Sequence, residues 1–549
     1  MQSRNAQPPT ESTPVQEARD LPLLVFRVAL LMALAISTVF AVWHTVIQGE
    51  FAQAADRFGY LQMAADVRRG GAPGAGPRFT FDSAQSRLML DFLRARGLPL
   101  DNAGAAGPNA YHYVAATDQI ICQYPPGVGL MLSLLPEGRA VVSWRCAAIA
   151  LLAGLGVWSC LRTGAEGGTL LAAAVMALAA MCGMLIVVLA VSYSVDMLIL
   201  PLTAAVAAAW GSRRPGWAGW ILVLLAGAAL GWAVVVRLSA ALFLPGFLVL
   251  AWSAGRGTSG VRRGAGRVAA LLGAFGAGVL PLLFHQRALT GSWFHSTYTP
   301  QDASAPAWSC IGGNLAYYFA GSGSDLIWFL FAGAAALGVG IVATRKSPAW
   351  AGALPGIGAM LLWFLIPTAY FAAHKVVTPY YQFPTLFMSL LAMALILRQS
   401  GAAAQGSGDA LVRTGAWILA ALLLARVMLL PWPSPELERL SAQPDTTPPA
   451  ALRDGRAWIL ADRLSGTLWY YDGIPSLRIA NLDAPTRQAF FKYLQTRGEP
   501  VYLIVDNGMM ADLAHELEAA GATFSQAGNY CPLKRGEAAP FTAVYRVQW

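Results

Sequence analysis

LPLLVFRVALLMALAISTVFAVWHTVI, residues 21–47, holds one arginine and no acidic residue. A helix of this length exceeds the roughly 30 Å hydrocarbon core of a bilayer. It also exceeds the apolar core of a signal peptide, about 15 residues at most. The small-x-small triplet Ala52-Gln53-Ala54 follows it, but the segment reads as a retained membrane anchor behind a polar tail, residues 1–21.

The same pattern recurs along the chain. Apolar runs predict eleven spans: 22–47, 139–161, 168–190, 196–211, 217–235, 238–254, 268–286, 325–343, 350–372, 380–398 and 413–432. The fourth and sixth are short. The stretch 126–136 is apolar but half a span long, and it ends in Pro136-Glu137-Gly138-Arg139. It reads as a re-entrant or interfacial segment. Hydrophobic residues make up 56% of the 549 and charged residues 12%, against about 25% charged in soluble proteins. The predicted fold is an all-α polytopic membrane protein of about eleven transmembrane helices.

The net charge of +9 does not point to a nucleic-acid partner. Most of the excess sits in short loops, where cations set orientation, and no long basic face appears. With the N-terminus in the cytoplasm, the inside loops hold Arg162, Arg213, Arg214, Arg256, Arg262, Arg263, Arg267, Arg345, Lys346, Arg398 and Arg413. The short outside loops hold only Arg237, Arg287 and Lys375. An odd number of spans then puts the C-terminus outside. The Ala- and Arg-rich composition with short loops points to a bacterial inner membrane and a periplasmic C-terminus.

Three large pieces fall outside: residues 48–138, 287–324 and 433–549. The transmembrane region is thus 22–432. The last piece follows a Pro-rich linker (Pro431, Pro433, Pro435, Pro444, Pro448, Pro449) and reads as a small α/β domain. Strand-like runs are Trp458–Ala461, Leu477–Ala480, Val501–Val505 and Thr542–Val547, and helix-like runs are Pro485–Arg497 and Met509–Ala520. Their alternation predicts a mostly parallel sheet. Cys146, Cys160 and Cys182 lie in apolar runs, while Cys122, Cys310 and Cys531 fall outside. There, Cys310 has Cys531 or Cys122 as a candidate disulfide partner. No Cys/His cluster with zinc spacing is present.

Several outer segments carry chemistry. Asp56-Arg57-Phe58-Gly59-Tyr60 begins a run in which Phe51, Ala55, Phe58, Leu61 and Ala65 recur at helical spacing. This predicts an interfacial helix with Asp56 and Tyr60 on the neighbouring face. The plain alternative is a solvated Asp at a helix start. Tyr124-Pro125-Pro126 precedes the half-span; proline there fixes an extended lead-in. Tyr193 and Asp196 stand at the outer junction of the third and fourth spans. An acid between apolar helices is a functional candidate, and a helix cap is the alternative.

These motifs, in this order, resemble the C-type (GT-C) glycosyltransferases of the protein O-mannosyltransferase and lipid A aminoarabinose transferase kind. The carriers are Asp56, Tyr60 and Ala64; Tyr124, Pro125 and Pro126; Tyr193 and Asp196; Arg237, Ser239 and Ala240; and Tyr380, Tyr381 and Pro384. The resemblance covers roughly residues 22–400. Two departures stand out: Arg57 follows Asp56 where many relatives have a second acid, and Tyr124 stands where the lipid A enzymes have a lysine.

The resemblance implies a donor sugar on a polyprenyl monophosphate or pyrophosphate, an undecaprenyl type in bacteria, and a glycan, lipid or protein acceptor. Asp56 is expected as general base, with Asp196 orienting the acceptor or holding a metal. Arg57, Tyr124, Arg237, His374, Lys375, Tyr380 and Tyr381 are candidates for the donor phosphate, where cations stabilise the leaving group. Snorkelling is the alternative for Arg237 and Lys375. Asp66 is a weaker carboxylate candidate. Tyr60, Tyr193, His295, Tyr298 and Asp302 are candidates for the acceptor side. The resemblance fixes no cofactor, and participation of a divalent metal stays open. A transporter or flippase of glycan precursors is the competing class, yet no related halves with interrupted helices are visible. A non-catalytic polysaccharide-assembly or sensor protein is the third.

Overall fold

The computed structural model describes residues 14–50, 52, 54–70, 79–98, 100–189, 192–256, 260–298, 307–320, 327–344, 349–401, 407–430, 448–530 and 542–549. Phe51, Asp302, Cys531 and most of the Pro-rich linker lie outside the described residues.

Among the described residues, nine helices are long and apolar enough to cross a membrane. They lie in α1 (Pro14–Gln48), α5 (Ala140–Leu161), α6 (Gly167–Leu189), α7 (Tyr193–Gly211), α8 (Trp217–Val236), α10 (Gly260–Thr290), α13 (Ala349–Ala372), α14 (Phe383–Gly401) with the 3-10 turn from Pro379 that leads into it, and α15 (Ser407–Met428). The architecture is an all-α polytopic membrane protein. Two predicted spans, 238–254 and 325–343, are shorter apolar helices, Leu238–Ala254 and Ile327–Ala343; the second lies in α12 (Ile327–Thr344), which follows the short α11 (Ile311–Ala320). The first is short because Arg237 adopts an extended conformation and a 3-10 turn, Leu238–Phe243, replaces the first regular helical turn before α9 (Leu244–Arg256).

The bundle is organised around α6, whose apolar window is entirely buried. Its Ala, Leu, Val and Met side chains are apolar on every face, as a fully enclosed helix requires. The pair α8 and α10 packs backbone to backbone: a Cβ at Gly231 would collide with the carbonyl oxygen of Phe275. Small residues permit this approach between apolar helices, where dispersion rather than hydrophobic burial holds the pair.

Outside the bundle, α2 (Ala54–Arg69) follows α1. It is not the half-exposed interfacial helix that its spacing suggests. Phe58, Tyr60, Leu61, Met63, Ala64 and Ala65 are all buried. One side faces α4 (Gly127–Ser133), the predicted half-span, where a Cβ on Gly129 would lie 2.6 Å from Met63 Cβ. The other is capped by the C-terminal region, whose Gly466 sits on the Phe58 ring. Protein covers the middle of this helix on both sides. A small antiparallel sheet follows, order β1-β3-β2, from β1 (Thr80–Phe81), β2 (Tyr111–Val114) and β3 (Gln119–Cys122), with α3 (Ala84–Ala95) between β1 and β2.

The C-terminal sheet has order β4-β5-β7-β6, from β4 (Trp458–Leu460), β5 (Val501–Ile504), β6 (Thr523–Tyr530) and β7 (Thr542–Gln548). Only β4 and β5 pair in parallel; the other two pairings are antiparallel. The sheet is therefore mixed rather than mostly parallel. The reason is β6: after the last helix the chain makes a tight return at Gly521 (φ +90°) and forms a hairpin-like pair with β7. The expected strand at Leu477–Ala480 is a single bridge, Leu460 to Leu477, followed by a 3-10 turn. The two expected helices are present as Ala484–Arg497 and Gly508–Ala519. The first starts where Asp483 accepts the Thr486 N–H at 2.8 Å and stops at Gly498 (φ +64°), following the usual cap rules.

The described residues between 52 and 122 and those of the C-terminal region form one layer. Thr467 Oγ1 donates to Ala52 O at 2.8 Å, and Gln85 Nε2 to Gly455 O at 2.9 Å. Phe81 meets Trp469 edge-on at 4.9 Å, and Phe92 meets Phe490 at 5.1 Å. Cys122 and Cys310 are free thiols, so the Cys122–Cys310 disulfide does not form.

Candidate functional site

A cavity of about 770 Å³ opens at the junction of the bundle and this outer layer. Its walls come from the start of α2, the segment leading into α4, the break after α8, the loop after α10, the turn between α13 and α14, and the C-terminal region. Asp56, Tyr60, Tyr124, Arg237, Tyr298, His374, Tyr380 and Tyr381 all line it. Eight candidates from distant segments thus converge on one volume.

Asp56 lies in the first turn of α2. Tyr124 donates its phenol to the Asp56 carboxylate. Burial, then the charge and hydrogen bond of Asp56, hold that phenol well above its ordinary pKa, so it stays a donor. Gln123 Nε2 donates to Tyr124 Oη at 3.2 Å. The Tyr60 and Tyr124 rings lie 4.7 Å apart. A Cβ on Gly59 would sit 2.6 Å from Tyr124 Cδ2, so glycine is what lets the ring lie against the helix.

Arg237 owes its place to the helix break. With φ −154° and ψ 121°, it leaves α8 as extended chain. Its Nη1 donates to Ser194 Oγ at 2.7 Å, and the guanidinium lies 5.0 Å from the Tyr381 ring and 5.8 Å from that of Tyr380. Ser194 also bonds Tyr60. A snorkelling arginine would have neither a fixed hydroxyl partner nor two aromatic neighbours. Tyr380 and Tyr381 sit on a 3-10 turn begun by Pro379. His374 accepts the Val376 N–H at 3.1 Å through Nδ1.

Six candidates lie elsewhere. Asp196 does not line the cavity. It is 1% exposed and its Oδ2 accepts from Arg145 Nε at 2.7 Å. Arg145 Nη1 donates on to Gln48 Oε1 at 2.8 Å. The carboxylate is committed to a buried ion pair, and it does not cap α7 either. The Tyr193 ring has Arg145 at 5.6 Å and Arg57 at 5.8 Å, so Tyr193 and Arg57 belong to this inner cluster. Lys375 and His295 are exposed and off the cavity wall. Asp66 is bonded by Gln62 Nε2 at 2.8 Å, and burial pushes its carboxyl up to about 6. Among the described residues no three His, Cys, Asp or Glu side chains gather as a metal-binding group.

The cavity also contains residues to which sequence reading gave no role in the site: Asn109, His112, Gln123, Ser239, Ser296, Tyr370, Phe371, Arg478 and Asn481. Most carry no motif. Gln123 and Ser239 were legible as immediate neighbours of Tyr124 and Arg237. Arg478 and Asn481 had no signal, because nothing local ties the C-terminal region to Asp56.

A scan against protein-family models finds no match for this chain, and a search of curated proteins finds none either.

Proposed function

We propose that this protein is an integral membrane glycosyltransferase that takes a sugar from a polyprenyl-phosphate carrier and works on the non-cytoplasmic, periplasmic side of a bacterial inner membrane. The observation that carries the reading is the pairing, in one cavity, of a carboxylate at a helix start with a guanidinium fixed among tyrosines. The cavity residues also come from segments that the charge asymmetry puts on one side, opposite the basic loops. Eleven spans, with Leu238–Ala254 and Ile327–Ala343 crossing as shorter helices, give an inside N-terminus and an outside C-terminus.

In this reading the acceptor hydroxyl oxygen attacks the anomeric carbon. The bond from that carbon to the phosphate oxygen breaks, and its electron pair leaves with the polyprenyl phosphate. The hydroxyl proton passes to Asp56. Arg237 and the phenols of Tyr380 and Tyr381 face the charge that develops on the leaving phosphate. A single displacement inverts the anomeric centre. Asp196 is a positioning residue: its pair with Arg145 fixes α7, and thereby Ser194, which holds Arg237 and Tyr60.

Mass spectrometry of polyprenyl-phosphate lipids tests the reading in three strains: wild type, a deletion, and the deletion carrying Asp56→Asn. A glycosylated carrier accumulating in the last two is expected. No change in any carrier, with the protein expressed and its pathway active, removes the proposal.

A further inference from the structure

The cavity has a second guanidinium for which the donor chemistry has no use. Arg478 comes from the turn that follows the Leu460–Leu477 bridge, at the end of the chain remote from Arg237. Its backbone N–H donates to Ala105 O at 2.9 Å, which pins this turn to the first outer segment. Its Nε donates to Asp462 Oδ1 at 2.9 Å. Asp462 is itself buried and held by Asn507 Nδ2 at 2.6 Å. An arginine clamped from behind in this way has lost most of its rotamer freedom before any ligand arrives.

The clamp uses Nε alone. The terminal N–H groups of the fork can then meet two oxygens of a carboxylate or phosphate. Asn481 lines the same wall and adds a neutral donor and acceptor. The nearby His112 does not supply the charge: burial first, and His295 second, push its pKa down to about 4. It is neutral at pH 7.

A polyprenyl monophosphate sugar presents a single anionic group, which the reading above gives to Arg237. We propose that Arg478 and Asn481 form an acceptor subsite, and that the acceptor carries an anionic group, a phosphate or a carboxylate, which Arg478 binds. The proposal rests on the donor reading only in calling this ligand the acceptor.

The test is binding, without turnover. Full-length protein in nanodiscs with saturating undecaprenyl phosphate is titrated calorimetrically with glucose 1-phosphate, glucuronate and glucose. At least one anionic sugar should bind and glucose should not. Arg478→Ala should weaken that binding at least about tenfold, while undecaprenyl phosphate binding stays at the wild-type level. Arg478→Lys should be intermediate, since it keeps the charge and loses the fork. Asn481→Ala should weaken the anion severalfold, and with the Lys variant it decides the matter if Arg478→Ala does not fold. Which anion binds tells phosphate from carboxylate.

Unchanged affinity in the Arg478 variants overturns the proposal. So does glucose binding as well as the anions, no binding of either anion, or displacement of undecaprenyl phosphate by the anionic sugar. If undecaprenyl phosphate does not bind but the anion does, and depends on Arg478, the donor reading falls and the anionic subsite stands.

Discussion

Arg145 grips one oxygen of Asp196 with two nitrogens, Nε at 2.7 Å and Nη2 at 2.5 Å, between helices α5 and α7. Both side chains are at most 2% exposed. Removing one partner of such a pair strands the other charge and costs on the order of 3 kcal/mol or more. Asp196→Asn is therefore expected to lower the melting temperature of the detergent-purified protein. The double variant Arg145→Gln/Asp196→Asn should recover part of the loss, because neither charge is then left alone. Full stability of the single variant combined with dead chemistry would return Asp196 to a direct catalytic role.

Asp56→Asn is expected to behave in the opposite way. The amide keeps an acceptor for the Tyr124 phenol but cannot take a proton. Transfer from polyprenyl-phosphate sugar should fall by about 10²–10⁴-fold, the usual worth of a general base, with the melting temperature unchanged. Tyr124→Phe should cost far less, since it removes one hydrogen bond to the proposed base. Initial rates on purified protein decide, and a near-normal Asn variant rules out Asp56 as base.

Gly59→Ala probes the packing beneath the site. The new methyl would lie 2.6 Å from the Tyr124 ring and 3.0 Å from Ala110 Cβ. The ring has to move away from Asp56. Overpacking of this kind costs about 1–3 kcal/mol, and the loss of transfer should exceed that of Tyr124→Phe. Equal or smaller loss would mean that the ring's place does not matter.

Asp506 gives a pH dependence. Its Oδ2 accepts the N–H groups of Leu464 at 2.6 Å and Asp462 at 3.2 Å. Burial, with the Asp462 charge adding to it, pushes its carboxyl up from 3.8 to about 6. An acid with a raised folded pKa binds protons more tightly when folded, so its contribution to stability falls as pH rises from about 4 to about 6. Above that window the ionised group is a constant cost. Asp506→Asn, which can still accept both N–H groups, should remove this slope and raise the melting temperature at pH 7. Parallel wild-type and variant melts between pH 4 and 7.5 measure it; identical slopes contradict the assignment.

How much of this was legible depended on the range of the interaction. Apolar runs such as 21–47 and 168–190 announce themselves, because one helix must satisfy its own backbone in lipid. Asp56, Tyr124, Arg237 and Tyr380 were readable from motif order, and they do share a cavity. Asp196 misled because its partner, Arg145, lies 51 residues away within an apolar run, and pattern alone does not pair them. The α2 helix misled for a related reason: Phe58 on its apolar stripe is covered by Gly466 from the far end of the chain, a contact that no local pattern announces. Strand β6, TFSQAGNY, lacks a continuous apolar face and offered no period to read.

The bond from Thr467 to Ala52 joins residues 415 positions apart, and Arg478 reaches the same wall by the Ala105 contact. During synthesis the ribosome therefore releases every apolar helix before the final side of the cavity exists. A nascent or truncated chain that stops after α15 has Asp56 and Arg237 but an unfinished vessel around them. The last hundred or so residues therefore close a cavity whose other walls are already made.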